Sequence, residues 1–313
     1  MTDHCPVCAA EGDPIGTHVR GGERWTCLSC RACSCQYWYP REIRPEFYAD
    51  PEQEATYERR RGGESFLRAR HRLFLERAKP GRLLDIGCGE GAFLAQAQER
   101  GFEVAGIDLD PGSIEVATRR GLHRVRATPL FDPDTGELEP GLRGGGQFDT
   151  ITAFEVLEHQ AQPLEFLRAA RRLLAPGGTL CGSVPNRERL FVDRQRRVNS
   201  GDFPPHHFLW FSAKTLEHTL MTAGFSTVEI RPVPEDELTR YASYLEDALL
   251  GGVTKAAKRS VHKVTGGARS SSRRKRVVSA IRTLKNLPFV PLAHVVRTVL
   301  PMRVRGLYFE ARG

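Results

Sequence analysis

Through the middle of the chain, short apolar runs alternate with segments whose apolar residues recur every three or four positions. The runs predict strands over Leu83–Ile86, Val104–Ile107, Arg124–Ala127, Thr150–Phe154, Thr179–Val184 and Thr227–Arg231, and the periodic segments predict helices near 91–100, 112–120, 163–174 and 213–223. Strands alternating with helices imply an α/β fold with a doubly wound sheet, whose right-handed crossovers bring Gly87, Asp108 and Glu155 to one edge.

The flanks behave differently. Glu64 to Lys79 carries Phe66, Leu67, Leu73 and Phe74 on one helical face and ends at Pro80-Gly81. Further on, Tyr241, Tyr244, Leu245, Ala248 and Leu249 mark one amphipathic helix, and Leu292, Val295, Val296, Val299 and Leu300 mark another. The pattern divides the chain into an N-terminal module at 1–45, a linker and covering helix at 46–80, a core at 81–232, a helical insertion at 233–305 and a closing segment at 306–313.

Composition changes this picture in two places. Six of the eight cysteines fall within the first 35 residues, and Cys5-Pro6-Val7-Cys8 and Cys27-Leu28-Ser29-Cys30 form two C-x-x-C pairs. Such pairs can supply four thiolates to a structural zinc ion, so Cys5, Cys8, Cys27 and Cys30 are the predicted ligands of a zinc-ribbon-like module. Cys33 or Cys35 could replace one of them. Tyr37-Trp38-Tyr39 beside the knuckles reads either as a small core or as a stacking platform, and Cys88 and Cys181 read as packing residues.

Charge is the second departure. The net charge of +8 is concentrated in residues 251–305, which hold 14 Lys and Arg and no acid, so the remainder carries a net charge of −6. This basic insertion could meet an anionic membrane surface or an acidic ligand. No run approaches the ~20 apolar residues of a membrane span, and the polar start is no signal peptide. The expected location is cytoplasmic, with peripheral membrane contact as an option.

The chemistry concentrates at Asp85-Ile86-Gly87-Cys88-Gly89-Glu90-Gly91, between a strand and a helix. Three alternate glycines permit a tight turn and leave room for a ligand against the backbone. With no lysine and an acid at each end, the loop suits a cationic or zwitterionic guest better than a phosphate. Asp108 ends the next strand, where a carboxylate can accept both hydroxyls of a ribose.

This combination resembles the class I S-adenosylmethionine-dependent methyltransferases, with a core similar to the ubiquinone-biosynthesis O-methyltransferases. The segments Phe148–His159 and Ala175–Asn186 look like the family's later motifs, in order. The resemblance implies a Rossmann-like sheet of seven strands, the last at 306–313. It also implies that Gly87, Gly89 and Gly91 cradle the methionine end, Asp85 orients the loop, Asp108 holds the ribose, Leu109 packs on the adenine and Glu155 lines the pocket. Thr128 stands where relatives commonly place an acid near the adenine.

Relatives build part of the acceptor pocket from the region of Phe203–Ser212, so His207 and His206 are candidate bases for a hydroxyl acceptor, with Glu155 beside them. Two adjacent histidines of an extended chain cannot both face one pocket. Glu155, Glu158 and His159, spaced as on one helical turn, could hold a divalent cation, as the ubiquinone-biosynthesis enzymes with the same E-x-x-E-H pattern are thought to do. A zinc-ribbon-like module on this core resembles bacterial proteins that modify sugars of surface polysaccharides and related natural products. The expected acceptor is a small molecule bearing a sugar, natural-product or lipid-linked hydroxyl. The alternatives are an RNA acceptor and a non-catalytic cofactor-binding protein.

Overall fold

The computed structural model describes residues 3–42, 67–143, 148–198, 200–233, 291, 295 and 304–313. In chain order the elements are β1 (Gly12–Arg20), β2 (Glu23–Cys30), β3 (Gln36–Tyr39), α1 (Ala69–Arg77), β4 (Arg82–Ile86), α2 (Ala92–Glu99), β5 (Glu103–Asp108), α3 (Pro111–Arg119), β6 (Val125–Ala127), α4 (Pro140–Arg143) and β7 (Phe148–Phe154). They continue with α5 (Pro163–Leu173), β8 (Leu174–Pro185), α6 (Val192–Val198), β9 (Leu209–Trp210), α7 (Ala213–Thr222), β10 (Thr227–Pro232) and β11 (Gly306–Arg312).

The larger sheet has seven strands in the order β10-β11-β8-β7-β4-β5-β6. β8, β7, β4, β5 and β6 pair in parallel, while β11 pairs antiparallel with both β8 and β10. The central strands are buried on both faces, as crossover helices require, and Leu83, Leu84, Ile151, Leu180, Val184 and Phe309 are almost wholly shielded from solvent. Helix ends are capped by local chemistry. Asp110 accepts from the backbone N–H of Gly112 and Ser113 ahead of α3, and Ser212 accepts from Thr215 N–H ahead of α7. The covering helix α1 starts at Ala69 and buries Phe74 and Leu75.

The smaller sheet joins two distant parts of the chain. Its order is β1-β2-β3-β9, so a two-residue strand from the loop between β8 and α7 completes the N-terminal module. Alternation along the hairpin offered no sign of this partner, and β9 and α6 have no counterpart among the predicted elements. Tyr37 and Trp38 are fully buried, which makes them core residues and removes the stacking platform.

The two amphipathic helices expected between 233 and 305, the basic loop between them, and residues 46–66 lie outside the described residues. Within the insertion Val295 is helical and exposed. No helix among the described residues is long and apolar enough to cross a membrane.

One buried acid sits in the middle of the larger sheet. Asp85 on β4 is 3 % exposed and accepts a 2.7 Å hydrogen bond from the Thr152 hydroxyl on β7. Burial pushes its carboxyl up to about 7, with Asp108 adding to the rise and Thr152 and Arg70 opposing it. The unfolded chain releases this proton near 3.8, whereas the folded chain keeps it to about 7. The contribution of Asp85 to stability is therefore greatest below about pH 4, falls as pH rises through that window and is flat above it. Asp85→Asn removes the fall. The melting temperature of the variant relative to the parent, followed calorimetrically, should rise between pH 5 and pH 7.5; a constant difference would contradict the protonated assignment.

Candidate functional site

The glycine loop is fixed by backbone geometry before any ligand is considered. Gly87, Gly89 and Gly91 have φ of 77°, 51° and 72°, a region that side chains disfavour. A Cβ on Gly87 would lie 2.6 Å from Val156 Cγ2, and one on Gly91 would lie 2.3 Å from Leu122 Cδ1. These two glycines are demanded by the protein's own packing. Gly89 differs: a Cβ there would meet nothing within 4 Å, so its backbone borders open space at the sheet edge.

Asp108 ties that loop to the next strand. Its Oδ2 accepts the N–H of Gly89 at 2.8 Å and its Oδ1 that of Asp110 at 2.9 Å. Burial raises its pKa, opposed by these backbone donors. Each oxygen keeps a lone pair for a further donor. Beside it Leu109, half exposed, offers an apolar face at the same edge.

Glu155 turns out of β7 with φ 58°. Its Oε1 accepts from the Ser183 hydroxyl at 2.9 Å and lies 3.7 Å from Arg70 NH1. The helical turn expected to place Glu155, Glu158 and His159 on one face does not form that way. The left-handed residue breaks the turn, the short 3-10 helix starts only at Leu157, and Glu155 is held apart with Ser183. The group of ligand atoms that does assemble is Glu158, His159 and His207, within 4.8 Å of one another.

This group has an unusual polar balance. Glu158 is 1 % exposed, and neither carboxylate oxygen has a hydrogen-bond partner. Burial, with Glu155 next, drives its pKa well above the ordinary carboxylate range. His159 Nδ1 is 2.7 Å from the His206 carbonyl oxygen. A carbonyl only accepts, so Nδ1 carries the proton and Nε2 keeps its lone pair, 3.9 Å from Glu158 Oε1. The His207 ring stands edge-on to His159 at 4.6 Å, and burial holds its pKa well below the usual value. His206 points elsewhere: its Nε2 accepts from Arg20 NH1 of β1 at 3.3 Å. Of the three residues predicted to be catalytic, only His207 belongs to this group.

Arg70 was not foreseen. It lies near Asp85, Glu155 and Glu158, and its Nε is buried without a partner. The signal was available, because position 70 is three residues after Leu67 and four before Phe74, on the apolar stripe of a helix that should bury no charge.

The cysteine centre also differs from expectation. The Sγ atoms brought together are those of Cys5, Cys8, Cys30 and Cys33, with Cys8 3.3 Å from Cys30 and 3.5 Å from Cys33, and Cys5 3.6 Å from Cys33. Bonds of ~2.3 Å to a tetrahedral zinc imply sulfur separations of ~3.8 Å, so the set fits such an ion. The two knuckles repeat each other. Ala9 and Ser34, at φ 59° and 60°, donate N–H to Cys5 O and Cys30 O, and Cys5 N–H and Cys30 N–H donate to Ala10 O and Cys35 O. Cys27 is excluded by strand alternation: three residues from Cys30 on β2, it faces the opposite side and packs with Trp25 and Trp38. Burial pushes its thiol up to about 12. At Cys30, burial opposes ionisation, but the Cys33 N–H and the Cys8 thiol outweigh it and bring the thiol down to about 7.

Residues 57–230 match the methyltransferase-domain family. The ubiquinone biosynthesis O-methyltransferase of Xanthomonas campestris pv. campestris is 42 % identical over 113 residues, 35 % of this chain and 46 % of that protein. That of Cereibacter sphaeroides is 41 % identical over 106 residues, 34 % and 42 % of the two chains. The chain thus spans less than half the length of these curated relatives. Haemonchus contortus phosphoethanolamine N-methyltransferase 2, solved with phosphomonomethylethanolamine and S-adenosylhomocysteine, shares the fold at 16 % identity, with a TM-score of 0.51 over 95 % of this chain and 71 % of that one. On the family match, which covers more than half of its residues, the chain belongs to the methyltransferase-domain family.

Proposed function

We propose that this chain is an S-adenosylmethionine-dependent methyltransferase acting on a hydroxyl of a small-molecule acceptor, and that the acceptor lies between the Gly89 edge and the group formed by Glu158, His159 and His207. The observation that carries this reading is the buried Glu158 carboxylate with both oxygens unpartnered, facing a histidine lone pair. Buried polar atoms left without partners are costly, so such a group marks a place where something polar belongs. The partial likeness to O-methyltransferases supports an oxygen acceptor.

Within this reading Gly87, Gly89 and Gly91 cradle the methionine end of S-adenosylmethionine, Asp108 holds the ribose, Leu109 packs on the adenine, and Arg70 meets the methionine carboxylate. The bound cofactor supplies an electrophilic methyl group. Glu155 lines the pocket through its bonds to Ser183 and Arg70. His207, kept neutral by burial, takes the hydroxyl proton as the new bond forms. A second reading rests on the same unpartnered oxygens: Glu158, His159 and His207 hold a divalent cation that binds the acceptor oxygen. The four cysteines Cys5, Cys8, Cys30 and Cys33 hold structural zinc. A phosphate-backbone acceptor such as RNA has nothing in its favour among the described residues, since the aromatics of the module are buried.

The reading is tested with methyl-labelled cofactor and fractionated cell extract: label should enter small polar metabolites, and label in RNA would overturn it. Asp108→Ala should weaken S-adenosylhomocysteine binding about 10- to 100-fold by calorimetry, the loss expected when hydrogen bonds to a charged group are removed. His207→Ala should lower turnover by at least about 100-fold while leaving that affinity within about threefold. Chelator treatment that leaves the zinc in place should not change turnover; if it abolishes turnover, the cation reading replaces the base.

Metal analysis tests the module separately. The parent should carry about one zinc per chain, Cys27→Ala should keep it, and Cys33→Ser should lose most of it. Loss in Cys27→Ala with retention in Cys33→Ser would restore the ligand set read from spacing.

A further inference from the structure

The knuckle containing Cys30 and Cys33 is connected to the acceptor side of the site by one side chain. Arg187 follows the end of β8, and its NH1 donates to the Ser34 carbonyl at 2.8 Å and, at 3.4 Å, to the Trp210 carbonyl. Ser34 is the left-handed residue that closes the Cys30–Cys33 turn, and Trp210 is half of β9. The Arg187 N–H also donates to Phe211 O at 2.8 Å. A single residue thus holds the metal knuckle, β9 and the end of a central strand.

From β9 the path continues into the site. Trp38 N–H donates to Phe208 O at 2.9 Å, and Phe208 N–H donates to Glu158 O at 2.9 Å. His207 lies between these two bonded positions and the Arg20–His206 contact. His18 stacks on Phe203 at 4.7 Å, and Trp38 meets Phe203 and Trp210 edge-on at 5.6 and 5.1 Å. The loop carrying the two histidines is therefore fastened at several points to the cysteine module, whereas the Gly87–Gly91 loop and Asp108 bond to Ile107, Asp110, Thr128 and Arg120, all outside that module.

We propose that Arg187 is a positioning residue through which the cysteine module sets the placement of His207 and Glu158, so that metal occupancy controls the acceptor half of the site and leaves the cofactor half intact. A module of some forty residues with so small a core depends on its metal for order, and β9 loses β3, its only strand partner among the described residues, when that order is lost. A two-residue strand cannot hold its extended form alone. The proposal rests on the acceptor assignment above only for the function of the loop; the coupling itself is read without any acceptor.

Hydrogen–deuterium exchange of the full chain tests it, with zinc present and after its removal by a thiol-reactive mercurial and chelator. Metal removal should raise exchange at 206–211 as well as in the module, leave 83–86 and 104–108 protected, and keep S-adenosylhomocysteine affinity within about threefold. Unchanged protection at 206–211, or joint loss of cofactor affinity, would overturn the proposal. Arg187→Ala provides the second arm: zinc content and cofactor affinity should stay at parental levels while exchange at 206–211 rises about tenfold, and Arg187→Lys, able to keep the bond to Ser34, should recover part of the protection. An Arg187→Ala variant that exchanges like the parent would remove Arg187 from the path. Failure of label to reach a small-molecule acceptor would overturn the acceptor reading and leave these exchange results standing.

Discussion

The pairing of Leu209–Trp210 with Gln36–Tyr37 is the constraint on which the placement of the histidine loop depends. It joins a cysteine module that is too small to bury much surface of its own to a loop that has little regular structure of its own. Each supplies what the other lacks. The module gains a fourth strand and a shared aromatic cluster of Trp25, Trp38, Phe203 and Trp210, and the loop gains backbone partners that fix where its histidines point. His206 is spent on Arg20 of the module, and His207 is left for the site.

The larger sheet was legible in the sequence because its signals are local. Strands buried on both faces read as apolar runs, helices read as periodic stripes, and glycines at positions that require positive φ mark the turn between them. The strand order was not read from the sequence, because local periodicity does not say which strands pair. The thiols that cluster differ from the set read from spacing for a physical reason. Cys27-Leu28-Ser29-Cys30 satisfies the spacing of a knuckle, but a strand through those residues sends its two thiols to opposite faces. The better sign was the small residue after each true pair, Ala9 and Ser34, both of which adopt the left-handed conformation that closes the turn.

Glu155 misled in the same way. Helical spacing from Glu155 to His159 assumes helical backbone, and no pattern of side-chain types announces that a glutamate will take φ 58°. The contacts that replace the expected ones are long-range: Ser183 from β8, Arg70 from α1 and His207 from the loop before β9. Spacing along the chain carries no information about such partners. Only Arg70 left a trace, as a charge on an apolar stripe.

The charge pattern of the edge bears on how donor and product are distinguished. Asp85, Glu155 and Glu158 lie near Arg70, and burial raises the pKa of Asp85 to about 7, that of Asp108 above its ordinary value and that of Glu158 well above it. Burial disfavours the charged forms of Asp85, Asp108 and Glu158, and a neighbouring acid adds to that cost at each. A cationic guest changes that balance, since a positive charge nearby lowers the cost of ionisation and each carboxylate then strengthens the attraction. The sulfonium donor proposed above would bring that charge, and its neutral thioether product would not. On that reading these acids would favour donor over product, and the unpartnered oxygens of Glu158 would lie at the proposed acceptor end.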